Sequence, residues 1–246
     1  MAETAYTEDK YWHNYPDGIG EHFWFVARNR IIEAELKKFC RADDVLLDIG
    51  CGRGHSVSHL RQRGLECFGV EVGHPQVLED AAPFIHTGKD AFDLSESLRH
   101  RVTVVLLLDV IEHIPDPEAF LRRCRESLPH CRMILTTVPA RRELWTNYDD
   151  FFGHFRRYDR PMLVRQGQAA GLKAVHTRYF FHLLCLPILA CKLFGIRRRV
   201  ELKPPRSRWF HRALAWCFTH EVKLVPGFIP GTSLMGVFET RHEFNV

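Results

Sequence analysis

Apolar residues along the chain fall into two alternating rhythms. HFWFVARNRIIEAELKKF (22–39) places Phe25, Ile32, Leu36 and Phe39 at helical spacing with charges between them, which predicts an amphipathic helix. VLLDIG (45–50) reads as a short buried strand, and HSVSHLRQRG (55–64) as a helix that Gly64 closes at its C-terminus. LECFGVEV (65–72) predicts a second strand, HPQVLEDAAPF a helix entered through a proline, and FIHTGKD (84–90) a weaker strand. RVTVVLLLDV (101–110) is an unbroken apolar run, as expected of a strand covered on both faces. IPDPEAFLRRCRESL predicts a helix with Asp116 as N-cap and Pro117 in its first turn. RMILTTVP (132–139) is a further strand. DRPMLVRQGQAAGL (159–172) is a helix with Asp159 or Asp149 available as cap, and LKAVHTRYFF (172–181) and TSLMGVFET (232–240) are the last strands.

Strands alternating with helices over connections of this length predict an α/β fold with a doubly wound, mostly parallel seven-stranded sheet. Ligands of such sheets sit beyond the carboxyl ends of the strands, where strand order reverses. That rule points to Asp48 to Gly54, Glu71, Asp90, Asp109 to His113, and the chain from Pro139 onward. The organisation expected is one domain: N-terminal aromatic cap helices (1–44), a core (45–181), a helical lid inserted at 182–230, and the last strand (231–246). The insertion breaks the alternation. Its two apolar stretches, HLLCLPILACKLFG and WFHRALAWCFT, flank a polar linker, IRRRVELKPPRSR.

Composition narrows the classes. The chain has 246 residues, 46% hydrophobic and 26% charged, with a net charge of +4. This mild basicity is no nucleic-acid signature, and no recognition domain accompanies it. The eight cysteines form no CxxC pair and no zinc-finger spacing. MAETAYTEDKYW lacks the basic start and apolar stretch of a signal peptide. Reduced thiols and no export signal give a cytoplasmic expectation. FFHLLCLPILACKLFGI, interrupted by His182, Pro187 and Lys192, is too short and polar for a good membrane span. With IRRR behind it, a peripheral membrane contact through 180–199 stays open beside a lid or a dimer-facing helix pair. Either a monomer or a homodimer is compatible with this.

The loop after the first strand carries Gly50, Gly52 and Gly54 in LLDIGCGRG. No GxxxxGK[ST] follows, which excludes a P-loop, and His55 or Val57 stands where a dinucleotide fingerprint needs its third glycine. Asp48, at the strand end, would repel a pyrophosphate and attract an ammonium. The loop therefore wants an adenosine ligand with a compact positive arm.

VLLDIGCGRG, with FGVEVG, TGKDAFDL and LLLDVIEHIPDPEAFL following in order, resembles the motif set of class I S-adenosylmethionine-dependent methyltransferases. The resemblance implies S-adenosylmethionine as cofactor. It implies a cofactor site made of Asp48, Gly50, Cys51, Gly52, Gly54, Glu71, Val72, Asp90 (with Asp93 as competitor), Ala91, Asp109 and Val110, with Arg28 meeting the cofactor carboxylate or solvent. In that family Glu71 would hold the ribose hydroxyls; two adjacent acceptors on one carboxylate suit a cis-diol.

Methyl transfer is an in-line displacement that depends on positioning, with a base needed only for a protonated acceptor. The acid–base candidates are His154, His113 and Asp149, with His22 as a further histidine, since a free imidazole titrates near about 6.5. WTNYDDFFGHFRRY and EHFWFVARNRII also resemble blocks of a large bacterial subgroup of this family. They imply a substrate loop of Tyr148, Asp149, His154, Arg156, Arg157 and Tyr158, with Trp24 and Phe25 closing the pocket. The plainer alternative is that Asp149 pairs with Arg156 or Arg157 to fix the loop. No carboxylate cluster suggests a metal. The function expected is methyl transfer to an oxygen or nitrogen of a small aromatic or carboxylate-bearing molecule. Transfer to a lipid or isoprenoid at a membrane surface is one alternative, and a non-catalytic cofactor-binding adaptor another.

Overall fold

The computed structural model describes residues 16–197, 200 and 203–240. Tyr11, Trp12 and Tyr15 of the expected aromatic cap, and Arg198, Arg199, Glu201 and Leu202 of the basic linker, lie outside these residues. Seven strands form one sheet: β1 (Val45–Ile49), β2 (Glu66–Glu71), β3 (Ile85–Thr87), β4 (Val104–Leu108), β5 (Met133–Pro139), β6 (Leu172–Phe180) and β7 (Ser233–Thr240). Their order is β3-β2-β1-β4-β5-β7-β6, with β7 antiparallel to both neighbours and the other pairs parallel. Strand order reverses between β1 and β4, so the loops leaving these two strands open side by side.

Strand alternation splits the core into two layers. Leu47, Ile49, Val105 and Leu107 face one side with Leu121 and Leu163. These last two belong to helices α4 (Pro117–Ser127) and α6 (Arg160–Ala169). Leu46, Val104, Leu106 and Leu108 face the other side with Ile31, Ile32 and Leu36 of α1 (Phe23–Phe39) and Leu60 of α2 (His55–Gln62). Asp116 and Asp159 cap α4 and α6 through the backbone N–H groups of Ala119 and Met162.

Residues 74–84 do not form the expected helix; a single 3₁₀ turn, Ala82–Phe84, is all that is there. Backbone groups that a helix would pair internally are instead tied to the glycine loop. Leu78 N donates to Arg53 O (3.0 Å), and Arg53 Nε donates to Gln76 O (2.8 Å). Two short helices carried too little periodicity to be predicted: α3 (Glu96–Arg101) and α5 (Asn147–Phe152). Local signals for them do exist, a Ser95 N-cap and a Thr146/Asp149 capping box.

The 182–230 insertion is helical, with α7 (Cys185–Leu193) and α8 (Arg208–Leu224). α8 lies along α1, where Phe218 stacks on Phe23 (5.2 Å) and meets Phe181 edge-on (5.5 Å). That half of the insertion is a layer of the core. α7 reaches the chain after β5, where Lys192 Nζ donates to Glu143 O (2.7 Å).

Candidate active site

β1 leaves the sheet through a loop that only glycine accommodates easily. Gly50, Gly52 and Gly54 sit at φ 75°, 53° and 87°. A Cβ on Gly54 would lie 2.2 Å from Ile85 Cδ1, so the loop also packs too tightly there for a side chain. Gly54 delivers the chain into the N-terminus of α2. Glu71, at the end of β2 and 3% exposed, accepts from Gly52 N (2.9 Å) on one oxygen and Gly73 N (3.1 Å) on the other. Each oxygen keeps a further lone pair, which fits a pair of adjacent hydroxyls. Val72 beside it is exposed and Cys51 is half-buried. Asp90 caps the turn Ala91–Asp93 through Phe92 N (3.1 Å), while Asp93 is exposed.

Asp48 is 2% exposed, and its Oδ1 has no hydrogen-bond partner among the described residues. Burial pushes its carboxyl up to about 7; Arg28 opposes the rise, and Glu71 and Asp109 add to it. Arg28 is also buried. Its guanidinium pairs with Asp109 (2.7 Å), contacts Ser56 Oγ (3.4 Å) and lies over the Trp24 ring. The alternative that Arg28 is a solvated helix residue is thereby corrected: it is buried against Asp109. Asp109 itself takes φ 60°, rare for a residue with a side chain, where β4 gives way to Val110 and a 3₁₀ turn, Ile111–His113. An orphaned buried carboxylate, a glycine cradle and a doubly anchored Glu71 together fit an adenosine carrying an ammonium.

On the other side of Asp109 lie the candidate acid–base groups. The rings of His113 and His154 approach to 4.8 Å. Asp149, fully buried, accepts from His154 Nδ1 (2.8 Å), Arg157 Nε (2.7 Å) and Thr146 N (2.8 Å). Burial would raise its carboxyl, yet bonds from His154, Arg157 and Thr146 bring it down to about 2. Such a carboxylate does not take a proton at neutral pH, so Asp149 orients His154 rather than acting as a base. Arg157 also donates to Ala140 O (3.1 Å), which commits it to this scaffold.

Tyr158 is a core residue instead of a substrate contact: it is fully buried and its hydroxyl donates to Ile111 O (3.2 Å). Arg156 donates to Pro115 O (2.8 Å), and Tyr148 packs on Phe152 (4.3 Å). Trp24 stacks on Phe181 and meets Phe25 edge-on, and Phe25 is nearly buried. His22 caps α1 by accepting from Trp24 N (3.4 Å); burial and His211 lower its pKa to about 4. It is a helix cap.

Sequence reasoning passed over Glu112. It is 1% exposed, no other residue among those described donates a hydrogen bond to either of its oxygens, and burial followed by Asp109 pushes its carboxyl well up. An acidic residue inside the apolar strand-end run DVIEH was the signal available.

Comparison with known proteins bears on the same region. The family model described as Methyltransferase domain matches residues 11–177. The ubiquinone biosynthesis O-methyltransferase of Pseudomonas paraeruginosa (strain PA7) is 28% identical over 105 residues, 39% of this chain and 45% of that protein. That of Pseudomonas fluorescens (strain SBW25) is 30% identical over 101 residues, 38% and 44%. The chain thus matches less than half the length of these curated relatives. Among solved structures, the fold is similar to Haemonchus contortus phosphoethanolamine N-methyltransferase 2 in complex with S-adenosyl-L-methionine (TM-score 0.56, 14% identity, 98% of this chain and 59% of that one). It is also similar to Synechocystis magnesium protoporphyrin IX methyltransferase with bound S-adenosylhomocysteine (TM-score 0.52, 13% identity, 89% and 86%). A family match over more than half the chain, on a sheet of this order with a glycine loop of this shape, places the protein in the Methyltransferase domain family, as a class I S-adenosylmethionine-dependent methyltransferase.

Proposed function

We propose that the protein methylates a hydroxyl oxygen of a small aromatic molecule. The observation that carries this reading is the cluster of His113 and His154 with Glu112, buried and without a donor from another of the described residues, beside Asp109. A hydroxyl must shed its proton on methylation, whereas a neutral amine can attack without help. Imidazoles at the acceptor side, that of His154 held by Asp149, therefore support oxygen over nitrogen. The naming of the curated relatives as O-methyltransferases agrees. A carboxylate-bearing acceptor loses support, because Arg157 is committed to Asp149 and Ala140.

S-adenosylmethionine supplies a methyl group on a sulfonium. Glu71 holds the ribose hydroxyls, the Gly50–Gly54 backbone underlies the methionine arm, Asp48 faces the ammonium, and Asp90 and Ala91 border the adenine. Trp24 and Tyr148 give the acceptor apolar walls, and α7 stands as the lid over the chain after β5. The eight cysteines form no disulfide among the described residues, which supports a reducing, cytoplasmic setting.

A methyl-transfer assay over matched phenols, catechols and amines, with products identified by mass spectrometry, tests this. O-methyl products from the hydroxyl set are expected. Turnover of amines alone would overturn the oxygen reading, and tight S-adenosylhomocysteine binding with no turnover anywhere would favour a non-catalytic adaptor.

The Asp48 assignment has its own pH signature. An ammonium favours ionised Asp48, so binding must expel a proton below about pH 7 and proceeds freely above it. S-adenosylhomocysteine affinity should tighten about tenfold between pH 6 and pH 8, a change of roughly 1.4 kcal/mol. Asp48→Asn should bind more weakly with a flat profile. An unchanged pH slope in that variant would sink the assignment.

One observation favours a membrane-surface version of this chemistry, with a lipid or isoprenoid-type acceptor. The α7–α8 insertion exposes Leu186, Leu193, Phe194, Trp209, Trp216 and Leu224, with Lys192, Arg197, Arg206 and Arg212 among them. Among the described residues no helix is long and apolar enough to cross a membrane. Apolar side chains mixed with cations suit an anionic interface. Co-sedimentation with phosphatidylglycerol-containing vesicles is expected, and Trp209→Ser with Trp216→Ser should abolish it. Concentration-dependent dimerisation without vesicle binding would assign the face to a second copy instead.

A further inference from the structure

We propose that Glu112, His113 and His154 form a site for one first-row divalent cation, placed where the acceptor hydroxyl docks. Ligand-capable atoms of all three residues lie within 4.8 Å of one another. An ion bonded at about 2.0–2.2 Å spreads its donor atoms to at most about 4.4 Å, so small side-chain rotations complete the set.

Three features make this a built site instead of a chance grouping. Glu112 is 1% exposed, and among the described residues no other donates to either carboxyl oxygen. The nearby guanidinium groups are engaged elsewhere, Arg28 with Asp109 and Arg157 with Asp149. A buried carboxyl in that position with neither oxygen partnered calls for an explanation, and a bound cation supplies one. The second feature is the tautomer of His154. Asp149 accepts from Arg157 Nε and Thr146 N as well as from His154 Nδ1 (2.8 Å), as a carboxylate does. The ring proton therefore sits on Nδ1, and Nε2 keeps its lone pair for a ligand. Carboxylates placed behind metal-bound histidines commonly act in this way. Third, the ligands come from two separate segments, the turn Ile111–His113 after β4 and His154 just past α5, whose backbone N–H donates to Asp149 O (3.0 Å).

One carboxylate and two imidazoles suit manganese, iron(II), cobalt or zinc better than magnesium, and leave coordination positions open. The sequence, read without Glu112, gave no reason to expect a metal. The cation's role toward the acceptor rests on the O-methylation reading above. A bound hydroxyl would ionise near neutral pH and release its proton to solvent. Its oxygen then forms the O–C bond as the C–S bond breaks, and the electron pair stays on sulfur.

The test begins with metal binding itself, which does not depend on turnover. Full-length protein freed of metal by a chelator is titrated with Mn²⁺ under electron paramagnetic resonance and with Co²⁺ under visible absorption. One equivalent should bind, with cobalt bands characteristic of nitrogen and oxygen ligands. Glu112→Gln and His154→Asn should each weaken binding at least tenfold while S-adenosylhomocysteine affinity, measured by calorimetry, stays within about twofold of wild type. That second measurement separates loss of the site from loss of the fold. Glu126→Gln, on the exposed face of α4, should bind metal as wild type does. Absence of saturable binding, or equal binding in the wild type and both ligand variants, would overturn the site. Metal binding intact with no hydroxyl methylated would leave the site standing and defeat the O-methylation reading.

Discussion

Glu71→Ala is expected to weaken S-adenosylhomocysteine binding by at least about 100-fold in calorimetry. Hydrogen bonds to a charged group contribute roughly 1.5–3 kcal/mol each, and a cis-diol would make two of them, so about 3–6 kcal/mol is lost. A second loss comes from within the protein. The side chain anchors Gly52 N and Gly73 N, so its removal also releases the glycine loop that cradles the ligand. Glu71→Gln separates the two. It keeps one acceptor oxygen and a similar shape, and should bind between wild type and Glu71→Ala. Affinity unchanged in the alanine variant would mean that the ligand's ribose lies elsewhere.

The glycine loop and the acidic strand ends around it were legible because their determinants are local. Three glycines at alternate positions, Asp48 at a strand end and Glu71 at the next strand end are each visible in a few consecutive residues, and the sheet rule places them together. Boundaries of β1, β4 and β5 follow from apolar runs for the same reason. The acceptor half depends on tertiary pairing that no short stretch displays. Arg157 looks like a substrate cation until Asp149 and Ala140 O are found to hold it, and Tyr158 looks like a pocket residue until its hydroxyl is found on Ile111 O. Residues 74–84 have a helix-like start and prolines, yet their backbone pairs with Arg53. Glu112 was hidden by its own surroundings, an acid within an apolar strand-end sequence, and only burial without a donor makes it conspicuous.

Asp149→Ala should be the most damaging substitution outside the hydrophobic core. Asp149 joins three elements: α5 through Thr146, the His154 ring, and Arg157 with its tie to the end of β5. Removing one partner of a buried ion pair strands the other charge and costs about 3–5 kcal/mol. For a chain of this size that lowers the melting temperature by roughly 10 °C. The pH dependence has a definite sign. Its folded-state carboxyl is depressed to about 2, so the stabilisation is fully present above the unfolded value of about 4 and fades as pH falls toward 2. Wild type and Asp149→Ala should therefore converge in melting temperature on acidification. Adding Arg157→Met to Asp149→Ala removes the stranded charge and should recover most of the stability at neutral pH. Methyl transfer should not recover with it, because His154 still lacks the acceptor that fixes its tautomer. Recovery of both together would reduce Asp149 to a purely structural residue and leave His154 without a demonstrated part in the chemistry.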